Sequence, residues 1–278
     1  MVLYYHNNKN QVIYMKCIYD NDLHIHSKLS SCSNDEDQTT ERILLYAKEN
    51  NLKTICITDH FWDENVTGAS DWYKPQNLAH ISSSLPLPEE DGIRFLFGCE
   101  GDMDKYLTLG ISKECFDKFD FVVIPTTHLH MTGFTYEETD NTPERKAELW
   151  LNRLDALLNM DLPFHKIGIA HLACNLIFSG SREKYIETLN LLPEDELKKL
   201  FTKAAKLGCG IELNYSDMSF GDEEADDVLR MFRIAKNCGC KFYFGSDAHH
   251  PSGFEKTKVV FERAIDLLGL TEDDKFII

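Results

Sequence analysis

Short apolar runs that end in histidine, aspartate or glutamate recur along the whole chain, and that recurrence limits the folds open to it. The clearest is Tyr243-Phe244-Gly245-Ser246-Asp247-Ala248-His249-His250, where an aromatic stretch stops in small residues and an Asp-x-His. Near the other end, Asp22-Leu23-His24-Ile25-His26 presents two imidazoles in the same arrangement. Thr58-Asp59-His60, Gly98-Cys99-Glu100, Thr126-Thr127-His128 and Ala170-His171 close four further runs. Side chains two apart on an extended segment point the same way, so His24 and His26, or Asp247 and His249, can face one site. Taken singly, each of these is an ordinary surface or packing residue. Six together, each at the end of a core strand, have one economical explanation, which is shared metal coordination.

The segments between them alternate strand and helix signals. Strands are expected near Ile18–His24, Thr54–Thr58, Ile93–Cys99, Phe119–Thr127, Lys166–Ala170, Gly210–Asn214 and Cys240–Ser246. Helices are expected from Thr39 or Thr40 to Asn50, over Pro143–Met160, from Pro193 to Gly208, over Asp222–Asn237, and from Phe254 to Leu268. Capping threonines, first-turn acids and terminal glycines support those limits. Residues 1–17 read as an accessory hairpin, with Val2–Tyr5 and the start of Val12–Tyr19 flanking the turn-prone His6–Asn10. Residues 61–92, with Trp62, Trp72, Tyr73 and three prolines, read as a helix plus a long loop over the site. Without any linker-like stretch, seven βα units over 1–278 predict a single α/β domain. It is a TIM-like parallel barrel with its site at the C-terminal ends of the strands.

Charge and cysteine usage narrow the function. Lys plus Arg is 29 against 46 for Asp plus Glu, a net charge of −17. Such a chain repels long nucleic acids, yet bound cations would still allow a small anionic substrate. Nine cysteines without a CxxC pair suit a reducing, cytoplasmic setting. The first residues lack a signal-peptide core, and no run is long enough to span a membrane, so no membrane association is expected. The lack of clustered thiolates argues against a structural zinc knot, and imidazole with carboxylate suits zinc, iron or manganese.

These motifs, in this order from about residue 18 to 268, resemble the PHP (polymerase and histidinol phosphatase) superfamily. The resemblance implies a distorted (β/α)7 barrel that holds two or three divalent metals. It places His24, His26, Glu100 and Asp247 on one metal, and Glu100, His128 and His171 on a second. His60, His249 and the position six residues after His26 would hold a third. That position is usually His or Asp; here it is Cys32, within Ser30-Ser31-Cys32-Ser33. A thiolate can ligate zinc or iron, and the alternative is a bystander thiol beside water or Asp35.

Other residues receive modest roles. His6, His80 and His165 sit in turn-like segments and read as solvent-exposed, and His130 lies outside the motif position of His128. His250 is a candidate substrate-phosphate contact. Asp22 and Asp59 are candidate acceptors for an imidazole N–H, with capping as the alternative. The expected reaction is metal-dependent hydrolysis of a small phosphomonoester, as in a histidinol phosphatase, with Glu100, Asp247 and His249 as the catalytic groups. Two alternatives remain at this point: a phosphodiesterase or exonuclease on nucleotides or short oligonucleotides, and a non-catalytic metal- or phosphate-binding module.

Overall fold

The computed structural model describes residues 4–5 and 14–278; His6 and the His6–Asn10 turn lie outside them. Tyr4–Tyr5 (β1) pairs antiparallel with Tyr14–Met15 (β2). The main sheet then uses Asn21–Ile25 (β3), Thr54–Ile57 (β4), His60–Phe61 (β5), Arg94–Gly101 (β6), Phe121–Pro125 (β7), Ile167–Ala170 (β8), Gly210–Asn214 (β9) and Lys241–Gly245 (β10). All its ladders are parallel, in the order β10-β9-β8-β7-β6-β4-β3, with short β5 alongside β6. The two edges meet where the Asp247 N–H donates to the His24 carbonyl at 2.7 Å and the His26 N–H to the Ala248 carbonyl at 3.1 Å. The result is a nearly closed, distorted TIM-like barrel, as expected.

Its helical layer is uneven. Thr40–Asn50 (α1) starts at Thr39, whose side chain accepts from the Arg42 N–H, and ends at left-handed Asn51. Leu78–Ile81 (α2) is one turn, and between β6 and β7 there is only a 3-10 segment, Lys113–Lys118. Helix is scarcest on this side, where Pro75, Pro86 and Pro88 interrupt any long helix within 61–92. Pro143–Leu158 (α3), Arg182–Asn190 (α4), Glu194–Leu207 (α5), Tyr215–Met218 (α6), Ala225–Asn237 (α7) and Thr257–Leu268 (α8) cover the rest. Sequence reasoning passed over α4 and α6. Among the described residues, no helix is long and apolar enough to cross a membrane.

The large core lies between sheet and helices, and a second, small one fills the barrel. A register shift between Asp22 and Ile25 in β3 breaks strict alternation. Leu23 joins the interior cluster with Phe121, Val123 and Tyr243, whereas Ile25 packs outward. Phe276 belongs to that interior cluster, and its N–H donates to the Phe242 carbonyl at 2.7 Å. The barrel is therefore filled below, and polar side chains gather above.

Candidate metal centre

Glu100 occupies the next-to-last position of β6, where a strand inside a barrel presents its side chain to the C-terminal mouth. Its carboxylate is 1 % exposed, and both oxygens lack a hydrogen-bond donor. Five imidazoles surround it. Oε1 lies 3.5 Å from His24 Nε2, 3.4 Å from His171 Nε2 and 3.7 Å from His128 Nε2. Oε2 lies 3.4 Å from His26 Nε2 and 2.9 Å from His60 Nδ1, the latter without hydrogen-bond alignment. Asp247 Oδ1 is 3.1 Å from His26 Nε2 and 3.5 Å from His24 Nε2, and Oδ2 is 3.6 Å from His171 Nε2. The His249 ring stacks on His26 with centroids 4.1 Å apart. The structure thus brings together all eight His, Glu and Asp residues singled out from the sequence.

Their spacing is that of ligands rather than of an ordinary polar core. His24 Nε2 and His26 Nε2 face each other at 3.1 Å. In tetrahedral coordination with bonds of about 2.0–2.1 Å, neighbouring ligand atoms sit roughly 3.3 Å apart. A buried carboxylate without donors is costly unless a cation meets it. Among the described residues five convergent sets could hold an ion, and three of them are built only from the eight: His24, His26 and Glu100; Glu100, His128 and His171; and His26, His60 and His249. The other two join His171 to His24 and Glu212, or to Cys174 and Asp217. The donor set therefore fits divalent metals of the zinc, iron or manganese kind.

Burial alone would raise the Glu100 carboxyl, yet the His60 and His24 imidazoles hold it well below the usual range. For Asp247 burial is likewise outweighed, by His24 and His171. Burial disfavours the His24 imidazolium, but Glu212, Glu100 and Asp247 together raise its pKa well above normal. The cluster demands positive charge.

Backbone geometry corrects one expectation. Asp247 and His249 do not share a face through strand alternation, because β10 ends at Gly245 and Asp247 is left-handed, with φ 52°. His171 is left-handed too, at φ 61°. Non-glycine residues in this region are uncommon and strained, and such strain concentrates at functional sites.

The rings are aimed by partners that the sequence reading mostly missed. His24 Nδ1 lies 2.6 Å from Glu212 Oε1 on β9, and His128 Nδ1 lies 2.9 Å from Asp102 Oδ2. His26 Nδ1 lies 2.8 Å from Ser30 Oγ, which donates to Asp59 Oδ1 at 2.7 Å. Asp22 orients no imidazole: it accepts from the Ser246 N–H at 2.9 Å and the Tyr46 hydroxyl at 2.8 Å, holding the barrel seam. Asp59 reaches His26 only through Ser30, while also accepting from Ser27. Glu212 carries the same signal as Glu100, a single acid inside an apolar strand.

Beneath His128 lie two buried cations from α3. Arg153 Nε donates to the Thr126 carbonyl at 2.8 Å, and Nη2 donates to Met103 O at 2.7 Å and Asp102 Oδ1 at 3.4 Å. Lys146 donates to the Leu129 carbonyl and sits 3.1 Å above the Tyr136 ring. Lys146, Trp150, Arg153 and Leu157 form one buried stripe of α3, so charge inside an apolar helical stripe was the available signal.

The remaining candidates separate. Cys32 borders the cavity, but its sulphur joins none of the convergent sets. Burial, then Glu100 and Asp247, push its thiol up to about 12. His250 is exposed, 3.6 Å from Asp35, and does not line the cavity. His130 lines it without joining the sets. His165 is exposed, while His80 is half-buried with Nε2 2.8 Å from the Leu29 carbonyl. A cavity of about 500 Å³ opens above Glu100, its wall including Trp72, Tyr73 and Phe134.

Comparison with known proteins follows this geometry. A family model described as PHP domain matches residues 22–216, from the first His-x-His strand to just beyond β9. The chain belongs to the PHP domain family. No curated protein sequence matches this PHP chain significantly. A histidinol phosphate phosphatase from Lactococcus lactis subsp. lactis Il1403, solved with zinc, L-histidinol and phosphate, is similar in fold at TM-score 0.60 and 17 % identity. The match covers 94 % of this chain and 99 % of that one. A histidinol phosphatase of Listeria monocytogenes, described as putative, gives TM-score 0.58 and 14 % identity over 87 % of this chain and 99 % of that one.

Proposed function

We propose that the chain is a metal-dependent phosphoesterase that hydrolyses a small phosphomonoester, using two or three divalent ions. The observation that carries this reading is Glu100, a buried carboxylate without donors inside five converging imidazoles. Support comes also from the Lactococcus relative, described with zinc, L-histidinol and phosphate. The first ion would take His24, His26, Glu100 and Asp247, and the second Glu100, His128 and His171. A third would take His60 and His249, with Cys32 or water as the remaining ligand. When bound, such ions supply Lewis acidity toward phosphoryl oxygens and acidify water.

The chain's own residues supply positioning and proton handling. Glu212 and Asp102 fix the ring orientations of His24 and His128, so that Nε2 faces Glu100 in each. Asp247 and His249 keep 21 % and 24 % of their side chains exposed, and so stand at the boundary between cluster and solvent. From there either can relay a proton of the attacking water to the departing alkoxide. Water adds to phosphorus, the P–O bond to the alcohol breaks, and the products are the alcohol and inorganic phosphate. Residues 1–278 act as one domain in this reading, with 61–92 forming part of the substrate wall.

The test is a panel of phosphomonoesters and phosphodiesters assayed on purified protein with its metals quantified. Monoester hydrolysis that stops on chelation and returns with manganese, zinc or iron is expected. Turnover of diesters alone would move the assignment to a phosphodiesterase, and turnover that survives full chelation would defeat it.

A further inference from the structure

The cavity joins two unlike surfaces. One is the histidine and carboxylate cluster; the other is an apolar wall of Trp72, Tyr73, Met131, Phe134 and Leu176. Tyr73 is fully buried and fixed through its hydroxyl, which donates to Asp102 Oδ2 at 3.1 Å. Trp72 meets Tyr73 near-perpendicularly at 4.7 Å and His60 at 4.9 Å, placing the indole directly beside the cluster. Even so, 38 % of Trp72 stays exposed. A braced, half-open indole is a stacking platform, because a flat ligand ring gains contact while little side-chain freedom is lost.

Charge supplies a second constraint. Among the described residues no lysine or arginine lines the cavity. The nearby buried cations, Lys146 and Arg153, are engaged with the carbonyls of Leu129, Thr126 and Met103. Beyond the cluster itself the wall's polar groups are Ser70 and His130, whose imidazole burial holds neutral by lowering its pKa to about 4. No fixed positive charge therefore offsets the desolvation of a second carboxylate or phosphate. The volume of about 500 Å³ suits a small molecule.

Building on the phosphomonoesterase reading, we propose that the alcohol half of the substrate carries a flat unsaturated ring and no second anionic group. Trp72 selects it by stacking. The experiment compares kcat/KM of the metal-loaded enzyme for 2-phenylethyl phosphate, n-butyl phosphate and 3-phosphoglycerate. The first two release alcohols of similar acidity, so their ratio reports binding of the ring rather than leaving-group chemistry. The ring substrate should lead by about tenfold, equivalent to about 1.4 kcal/mol, and 3-phosphoglycerate should be the poorest. In Trp72→Ala the ratio should fall to within about twofold of one, and Trp72→Phe should restore most of it.

Fluorescence gives an independent readout. Of the three tryptophans, Trp62 and Trp150 are buried at 1 % and 0 %, so Trp72 is the one open to a ligand. The non-hydrolysable 2-phenylethylphosphonate should change tryptophan emission in the wild type and not in Trp72→Phe. A wild-type ratio near one, a ratio unmoved by Trp72→Ala, or a preference for 3-phosphoglycerate overturns the stacking assignment. If n-butyl phosphate is hydrolysed no faster than in a chelated control, the phosphatase reading falls with it.

Discussion

His24 and His128 face the same oxygen of Glu100, yet they are held in place by different means. His24 sits in a parallel ladder, and the closing strand locks its position when the Asp247 N–H meets its carbonyl. One side chain, Glu212, then fixes the ring. His128 lies beyond the end of β7 on irregular backbone whose carbonyls have no ladder partners. There the donors come from side chains: Arg153 to Thr126, Lys146 to Leu129, and the Thr135 hydroxyl to His128 itself at 2.5 Å. A sheet positions a ligand with groups that every residue carries, whereas a loop needs particular side chains and accepts the desolvation of buried charge to get them.

The most damaging change should be Glu100→Gln, because Glu100 serves both sides. Loss of its charge should lower kcat/KM about a thousandfold, a few kcal/mol of lost transition-state stabilisation. Metal content should fall in parallel. Near-normal turnover would show that the two sides do not depend on a shared ligand.

Next comes a direct contrast. Arg153→Met removes the cationic partner of buried Asp102 and the side-chain donor of the Thr126 and Met103 carbonyls, so stability should fall by roughly 3–5 kcal/mol. Glu212→Gln keeps shape and one hydrogen bond to His24, so metal affinity there should weaken about tenfold while the fold survives. Thermal unfolding and metal titration of the two variants decide the matter. A stable Arg153→Met protein with full metal content would mean that the loop holds itself.

A pH dependence sharpens the loop side. Burial lowers Lys146 to about 8 from its ordinary 10.5. Above pH 8 the folded state sheds this proton before the unfolded chain does. Lys146 therefore destabilises most at low pH, and stability should rise from pH 8 toward 10. The difference in unfolding free energy between wild type and Lys146→Met should shift in favour of wild type across that window. A constant difference would place the ammonium in solvent. The smallest effect expected is that of Cys32→Ser, with metal content unchanged and activity within about twofold, because the sulphur stands apart from the convergent sets. Loss of one metal in that variant would make the thiol a partner of His60 and His249.

The same contrast explains what could be read from the sequence. Strand ends carry a local signature, an apolar run followed by a ligand, so the barrel and all eight converging residues were legible. Glu212 obeys that rule less visibly, since it lies mid-strand within Gly210–Asn214 rather than at the end of an apolar run. Arg153 carries no signal of its own within the helix expected over Pro143–Met160, since a charge on an amphipathic helix ordinarily faces solvent. Its role depends on carbonyls of residues 103 and 126, contacts that no local pattern encodes. The left-handed turns at His171 and Asp247 were equally silent, because nothing in those residue types demands them.

The seam between β3 and β10 also sets a timetable for synthesis. His24 and His26 leave the ribosome well before Asp247 and Ala248, whose backbone locks them. Until more than two hundred further residues have emerged, the nascent chain carries its first pair of ligands on an unpaired strand edge. A complete ligand ring therefore forms only once Asp247 and His249 have emerged. A messenger truncated before the codon for Asp247 would yield a product lacking part of the ligand ring, with its barrel still open.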